Sequence, residues 1–170
     1  VAYVMMAVRI AWFKVYHPLA FYAAYFSIRA KAFDLRIMTG DLKTQLTEFN
    51  RIKALDRAAS PKDKDLMSAL EVSMEMYQRG YRFINVDIQH SEARRFSIKD
   101  GALLPPFLAI DSLGETVADA IVAEREERPF TSLKDLQRRC KVSNTIIDLM
   151  KDLKCCGELP EDEQMSLFGA

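Results

Sequence analysis

The residues of this chain with chemical potential are backbone groups at two tight turns and one apolar pair near the tail. Phe107-Leu108-Ala109-Ile110 leads into Asp111-Ser112-Leu113-Gly114, and Glu115, Val117, Ala118 and Ile121 follow at helical spacing. A tight turn ahead of a helix points free backbone N–H groups outward, where they can hold a phosphate without reading a base. Glycine at such a turn lets the backbone approach its ligand closely. A second unit follows, its turn about 30 residues beyond the first: Thr131-Ser132-Leu133-Lys134-Asp135-Leu136 begins another helix, Cys140-Lys141-Val142-Ser143-Asn144 forms the turn, and Thr145-Ile146-Ile147 opens the next helix. This second turn has no glycine but gathers Arg138, Arg139 and Lys141. Cations there also suit a helix C-terminus, where the dipole favours them. The plainer reading of both turns is an ordinary helix-turn-helix corner. The apolar pair is Leu167-Phe168, at the end of Gln164-Met165-Ser166-Leu167-Phe168 and preceded by Glu158, Glu161, Asp162 and Glu163. The acids keep the tail solvated and leave Leu167 and Phe168 for a pocket on another protein, or for a staple onto this one.

Catalytic carboxylates are not evident. Asp63-Lys64-Asp65 is the one closely spaced Asp-x-Asp pair, and residues i and i+2 in a helix do not share a face. Acids at a helix start more often serve the dipole. Cys140, Cys155 and Cys156 form no Cys-x-x-Cys pair and lie far from His17 and His90, which argues against a zinc site or a disulfide framework. Reduced thiols of a cytoplasmic protein are the simplest reading. The 24 Lys and Arg balance 24 Asp and Glu among 170 residues, which speaks against a surface that is basic throughout and leaves local patches open.

Several elements must position these turns. Val1 to Val15 reads as a helix apolar on most sides, interrupted by Arg9 and Lys14 and too broken to span a membrane. His17-Pro18 separates it from a helix over 18–31 rich in aromatics. Helices this apolar are expected to be covered, and a chain that opens on one reads as cut from something longer. A third helix is expected over 41–56. Ser60-Pro61 starts a fourth, over 62–79, with Leu66, Leu70, Met74 and Tyr77 at helical spacing and Gly80 at its end. The alternation across Tyr81 to Ile88 predicts a strand with Ile84, Val86 and Ile88 on one face. A second strand over 95–98 and a return over 102–104 are joined by Asp100-Gly101, a hairpin signal. Helices are then expected over 115–127, 132–139 and 144–154.

The first turn resembles the helix-hairpin-helix pattern, departing from it where Ser112 replaces a preferred glycine and Asp111 brings a negative charge. Paired units of this kind grip duplex DNA by its backbones. Gln164 to Phe168 resembles the pentapeptide that binds the bacterial sliding clamp (beta). Val1 to Lys14 followed by His17-Pro18 looks like the fingers helix of C-family polymerases. Its pairing with Pro18 to Phe26 is similar to the PolC type in particular, as are Asn85-Val86-Asp87-Ile88, Leu104-Pro105-Pro106-Phe107 and the terminal pentapeptide in that order. The resemblance spans essentially the whole chain.

The resemblance implies a mainly α fold with a small β-hairpin, made of a helical fingers segment and a tandem helix-hairpin-helix domain. Residues 1–80 would be the end of the fingers, 81–157 the β element and duplex-binding domain, and 158–170 an acidic tail with the clamp motif. Tyr3 would pack against the nascent base pair and Arg9 would meet the incoming dNTP. Ile110, Ser112, Leu113 and Gly114, with Lys141, Val142, Ser143 and Asn144, would touch primer-template duplex. Gln164, Met165, Ser166, Leu167 and Phe168 would bind the clamp. No cofactor is expected in this chain, and Mg²⁺ is expected in the palm of the full polymerase. Two readings stay beside this one: a DnaE-type fragment, which would normally continue beyond the clamp motif, and a stand-alone helix-hairpin-helix protein recruited to the clamp.

Overall fold

The computed structural model describes residues 1–29 and 32–162. The first element, α1 (Ala2–Tyr16), contains no buried residue, and Tyr3, Val4, Met6, Trp12 and Val15 are all more than half exposed. It ends at His17-Pro18, as expected, because Pro18 fits the first position of α2 (Pro18–Ile28). Unlike α1, α2 enters the core: Tyr22 and Phe26 are fully buried. Phe26 meets Phe83 edge-on at 4.9 Å and Phe33 at 6.1 Å, and Phe33 meets Phe96 at 5.0 Å. Such edge-to-face pairs add to the stabilisation from buried area. The hydroxyl of Ser27 accepts the Phe96 N–H at 2.9 Å, pinning α2 to the segment before the β-hairpin.

Short α3 (Leu35–Met38) is capped by Asp34, which accepts the Ile37 N–H. α4 (Leu42–Leu55) is capped by Asp41, which accepts the Thr44 N–H at 2.8 Å. α5 (Pro61–Gln78) opens with a reciprocal capping box between Ser60 and Asp63. Asp63 is thus a helix cap, and the hydroxyl and N–H of Ser60 hold its carboxyl below the usual carboxylate range. Asp65 lies 3.9 Å from Arg29. A buried polar relay ties α3, α4 and α5 together. Gln45 donates to the Met38 carbonyl at 3.1 Å and accepts from Ser73 at 2.7 Å, and Tyr77 donates to the same carbonyl at 2.9 Å. Each group is satisfied, so the network costs little to bury.

The β part is smaller than the alternation predicts. Residues 81–88 form no strand: Phe83 makes one isolated parallel bridge to Leu103, flanked by Ile84 N–H to Leu103 O at 2.9 Å and Leu103 N–H to Arg82 O at 3.0 Å. Side chains divert the rest. Asn85 donates to the Leu153 carbonyl at 2.5 Å, and Asp87 accepts the Gln89 N–H at 2.8 Å to start a turn. Such local side-chain bonds compete with a ladder. Of the three residues expected on one face, Val86 and Ile88 are buried and Ile84 is only half-buried, while Phe83 from the other face is buried as well. The true hairpin pairs β1 (Ser97–Lys99) with β2 (Ala102–Leu104), Ile98 opposite Leu103. Asp100 and Gly101 both take left-handed φ, 51° and 74°, the pair of positive angles that a two-residue type I′ turn demands.

After a single 3-10 turn (Phe107–Ala109) come α6 (Glu115–Glu127), α7 (Leu133–Cys140) and α8 (Asn144–Asp152). One hydrophobic cluster runs from Tyr22 through Phe83, Leu103, Phe107 and Ile121 to Cys156. The fold is mainly α with a two-stranded antiparallel hairpin.

Candidate nucleic-acid interface

The two turns have the same backbone. In the first, Ser112 is left-handed (φ 63°), Leu113 is buried, and Gly114 caps α6 in an extended conformation (φ −74°, ψ 156°). In the second, Lys141 is left-handed (φ 54°), Val142 is buried, and Ser143 caps α8 with φ −72° and ψ 156°. The buried residues that follow also correspond, with Ala118 and Ile121 in α6 matching Ile147 and Met150 in α8. The apolar residue locks each turn to the core and turns the first amides of the next helix outward. Those amides lack intrahelical acceptors and carry the positive end of the helix dipole.

The flanks differ. Ahead of the first turn the chain has only the 3-10 turn and buried Ile110, whose carbonyl accepts the Leu113 N–H at 3.2 Å. Ahead of the second stands a full helix, α7. Gly114 offers no side-chain cap to α6, whereas the Ser143 hydroxyl accepts the Ile146 N–H at 3.4 Å. The first turn is ringed by acids. Asp111 is exposed, and Glu115 and Asp119 both bind Arg94, Glu115 at 2.6 Å. The second turn carries exposed Lys141 and the mostly exposed Arg138. Electrostatically, the second turn suits a phosphate better, although its sequence is the less regular of the two.

Arg139 does not join that surface. Its side chain is 11% exposed, stacks on Phe130 at 4.8 Å and donates to Glu124 Oε2 at 3.0 Å and to the Arg128 carbonyl at 3.0 Å. It also meets Asp135, whose carboxylate is fully buried against Arg138 (2.9 Å), Arg128 (3.3 Å) and the Thr131 N–H (3.3 Å). Burial alone would raise the Asp135 pKa, but the bonds from Arg138, the Thr131 N–H and Arg139 outweigh it and hold the group below the usual carboxylate range. This knot fixes α7, and with it the second turn, against the end of α6. The spacing Ser132-x-x-Asp135 with Arg138 and Arg139 three and four residues on was its sequence signal.

Ser112 stands in a conformation that costs a residue with a Cβ about 1 kcal/mol. Ser112→Gly should therefore stabilise the fold by roughly 0.5–1 kcal/mol, read as a higher urea midpoint with an unchanged slope.

Tyr3 and Arg9 are both exposed on α1, Tyr3 to 88%. Six residues on a helix put them about 120° apart around its axis, so they do not share a face. Gln164, Met165, Ser166, Leu167 and Phe168 lie outside the described residues. Burial pushes the thiols of Cys140 and Cys156 up to about 11 and that of Cys155 to about 12. Among the described residues, no group of three or more His, Cys, Asp or Glu could hold a metal ion, and no helix is long and apolar enough to cross a membrane.

Residues 80–164 match the family described as the helix-hairpin-helix motif. The chain belongs to that family. It is also 46% identical over 168 residues, 99% of its length, to the DNA polymerase III PolC-type of Caldanaerobacter subterraneus subsp. tengcongensis. To the DNA polymerase III PolC-type of Streptococcus suis it is 46% identical over 169 residues, and to that of Streptococcus pyogenes 44% over 170. The resemblance to PolC-type polymerases is thus borne out over 98–99% of the chain, which spans 12% of the length of these relatives. The helix-hairpin-helix match starts just after α5 and contains both turns, the two strands and α6 to α8.

Proposed function

We propose that this chain is the C-terminal portion of a replicative DNA-directed DNA polymerase of the PolC type, and that it holds primer-template duplex behind the active site. The repeated turn carries this reading. Two left-handed, apolar, extended-cap sequences present helix N-termini at Gly114 and Ser143, and such ends bind backbone phosphates on either strand without sequence preference. Similarity to PolC-type polymerases over nearly all of the chain supports the context.

In this reading Gln164 to Phe168 tethers the polymerase to its sliding clamp. Leu167 and Phe168 fill an apolar pocket and Gln164 bonds at its rim. On α1, Tyr3 packs against the nascent base pair and Arg9, on another side of the helix, meets the incoming dNTP once the rest of the polymerase is present. The carboxylates and Mg²⁺ that carry nucleotidyl transfer lie in the palm, elsewhere in the longer protein, so the chain alone transfers no nucleotide. Its workplace is the cytoplasm.

The test is a titration of two labelled duplexes of unrelated sequence at several salt concentrations. Equal affinity for both is expected, with log K falling as salt rises at a slope near −0.9 per phosphate contacted, so roughly −2 to −4 in total. Affinity indifferent to salt, or confined to one sequence, would overturn the duplex reading.

A further inference from the structure

Glu115 is the first residue of α6, and Asp119 stands one turn on along the same face. Unbalanced, two carboxylates beside a helix N-terminus would repel the phosphate that its free amides attract. The residues of the turn cannot balance them, since Phe107 to Asp119 includes no Lys or Arg. Arg94 does so from outside. Its Nε donates to Asp119 Oδ1 at 3.0 Å, its Nη2 to Asp119 Oδ2, and its Nη1 to Glu115 Oε2 at 2.6 Å. A bidentate bond to one carboxylate and a further bond to the other engage every nitrogen of the guanidinium.

The segment that carries Arg94 is tied down on all sides. The carbonyls of Glu92 and Ala93 accept the N–H groups of Phe107 (2.9 Å) and Leu108 (3.0 Å), so the segment lies along the 3-10 turn ahead of the first hairpin. Before it, the buried Ser91 hydroxyl donates to the Pro105 carbonyl at 2.8 Å, and Arg125 of α6 donates to the Ser91 carbonyl at 2.8 Å. After it, Ser27 holds the Phe96 N–H. We propose that Arg94 is a positioning residue for the first turn, a counter-charge that cancels Glu115 and Asp119 and keeps the α6 N-terminus open to a backbone phosphate. The inference rests on the duplex reading above and names what makes its acid-ringed turn usable. Arg94 acts through the two carboxylates, because its nitrogens are already engaged by them. All three side chains are about half exposed, and ion pairs so placed add little to folding, so charge can be changed here without loss of the fold.

The test is a titration of labelled duplex DNA with the whole chain at low salt, with helix content and urea midpoint checked for each variant. Arg94→Met keeps the length of the side chain and removes its charge. It should weaken duplex binding by about three- to tenfold, with a loss that shrinks as salt rises and a midpoint that hardly moves. Arg94→Lys keeps the charge and should stay near the native affinity. The decisive variant combines Arg94→Met with Glu115→Gln and Asp119→Asn. With no acids left to cancel, it should recover nearly the native affinity. Native binding by Arg94→Met would overturn the inference. So would a triple variant as weak as Arg94→Met, since Arg94 would then be meeting the phosphate itself. A native chain that binds no duplex would instead overturn the duplex reading, and this inference with it.

Discussion

Asp135→Ala should destabilise the fold by about 2–3 kcal/mol, the cost of leaving several donors of a largely buried cluster without their acceptor. The size follows from what is left behind. Arg139, 11% exposed and held by Glu124 and Phe130, loses its carboxylate at 3.3 Å, and Arg128, Arg138 and the Thr131 N–H lose theirs. Urea denaturation at neutral pH reads this directly, as a large fall in midpoint. Asp135→Asn separates charge from shape and should lack this one acid-labile contribution. The folded pKa of Asp135 is lowered. Its contribution is therefore fully present above the unfolded carboxylate value near 3.9 and is lost as pH falls through the folded value. Between neutral pH and pH 3 the native chain should lose more stability than the Asn variant. Equal losses would mean that Asp135 holds no special charge energy. Because the knot fixes α7, the Ala variant should also weaken duplex binding while it remains folded.

The second large effect falls on the tail. Leu167→Ala with Phe168→Ala should reduce affinity for a bacterial sliding clamp on the order of 100-fold, measured by titration against the native chain. Burying a Leu and a Phe contributes about 1.5–3 kcal/mol each before ordering costs, and about 1.4 kcal/mol is a factor of ten. Helix content and urea midpoint should not move if the pair serves a partner. A lower midpoint with no change in clamp affinity would mean that Leu167 and Phe168 are a staple onto this chain itself.

What could be read from the sequence was what neighbouring residues decide among themselves. Ser60, Pro61 and Asp63 announced α5 because a cap and its partner lie three residues apart. Asp100-Gly101 announced the hairpin because two consecutive positive φ angles suit few other residues. Glu115 to Glu127 was legible to both ends. What depended on distant groups was not. The alternation over 81–88 looked like a strand, but Leu103 bridges only Phe83, and Leu153 claims Asn85. Short α3 offers too few residues for any period to show. In the interface, the position of both turns was visible, but the left-handed residue and extended cap they share were not, since nothing about Lys141 signals a left-handed residue. Arg139 read as a member of a basic patch because its type does not say which way it turns. The structure sends it inward to Asp135 and Glu124 and leaves Arg138 and Lys141 outside.

The most direct test of the duplex-grip reading is to change the charge at each turn in opposite directions and repeat the duplex titration. Lys141→Glu reverses one exposed cation at the second turn, and Asp111→Lys reverses one exposed acid at the first. If both turns lie on the backbone, Lys141→Glu should weaken binding several-fold on every sequence and make the salt slope shallower by about 1, while Asp111→Lys should strengthen binding and steepen the slope. Unchanged affinity and slope in both variants, with the fold intact, would contradict a duplex grip through these two turns.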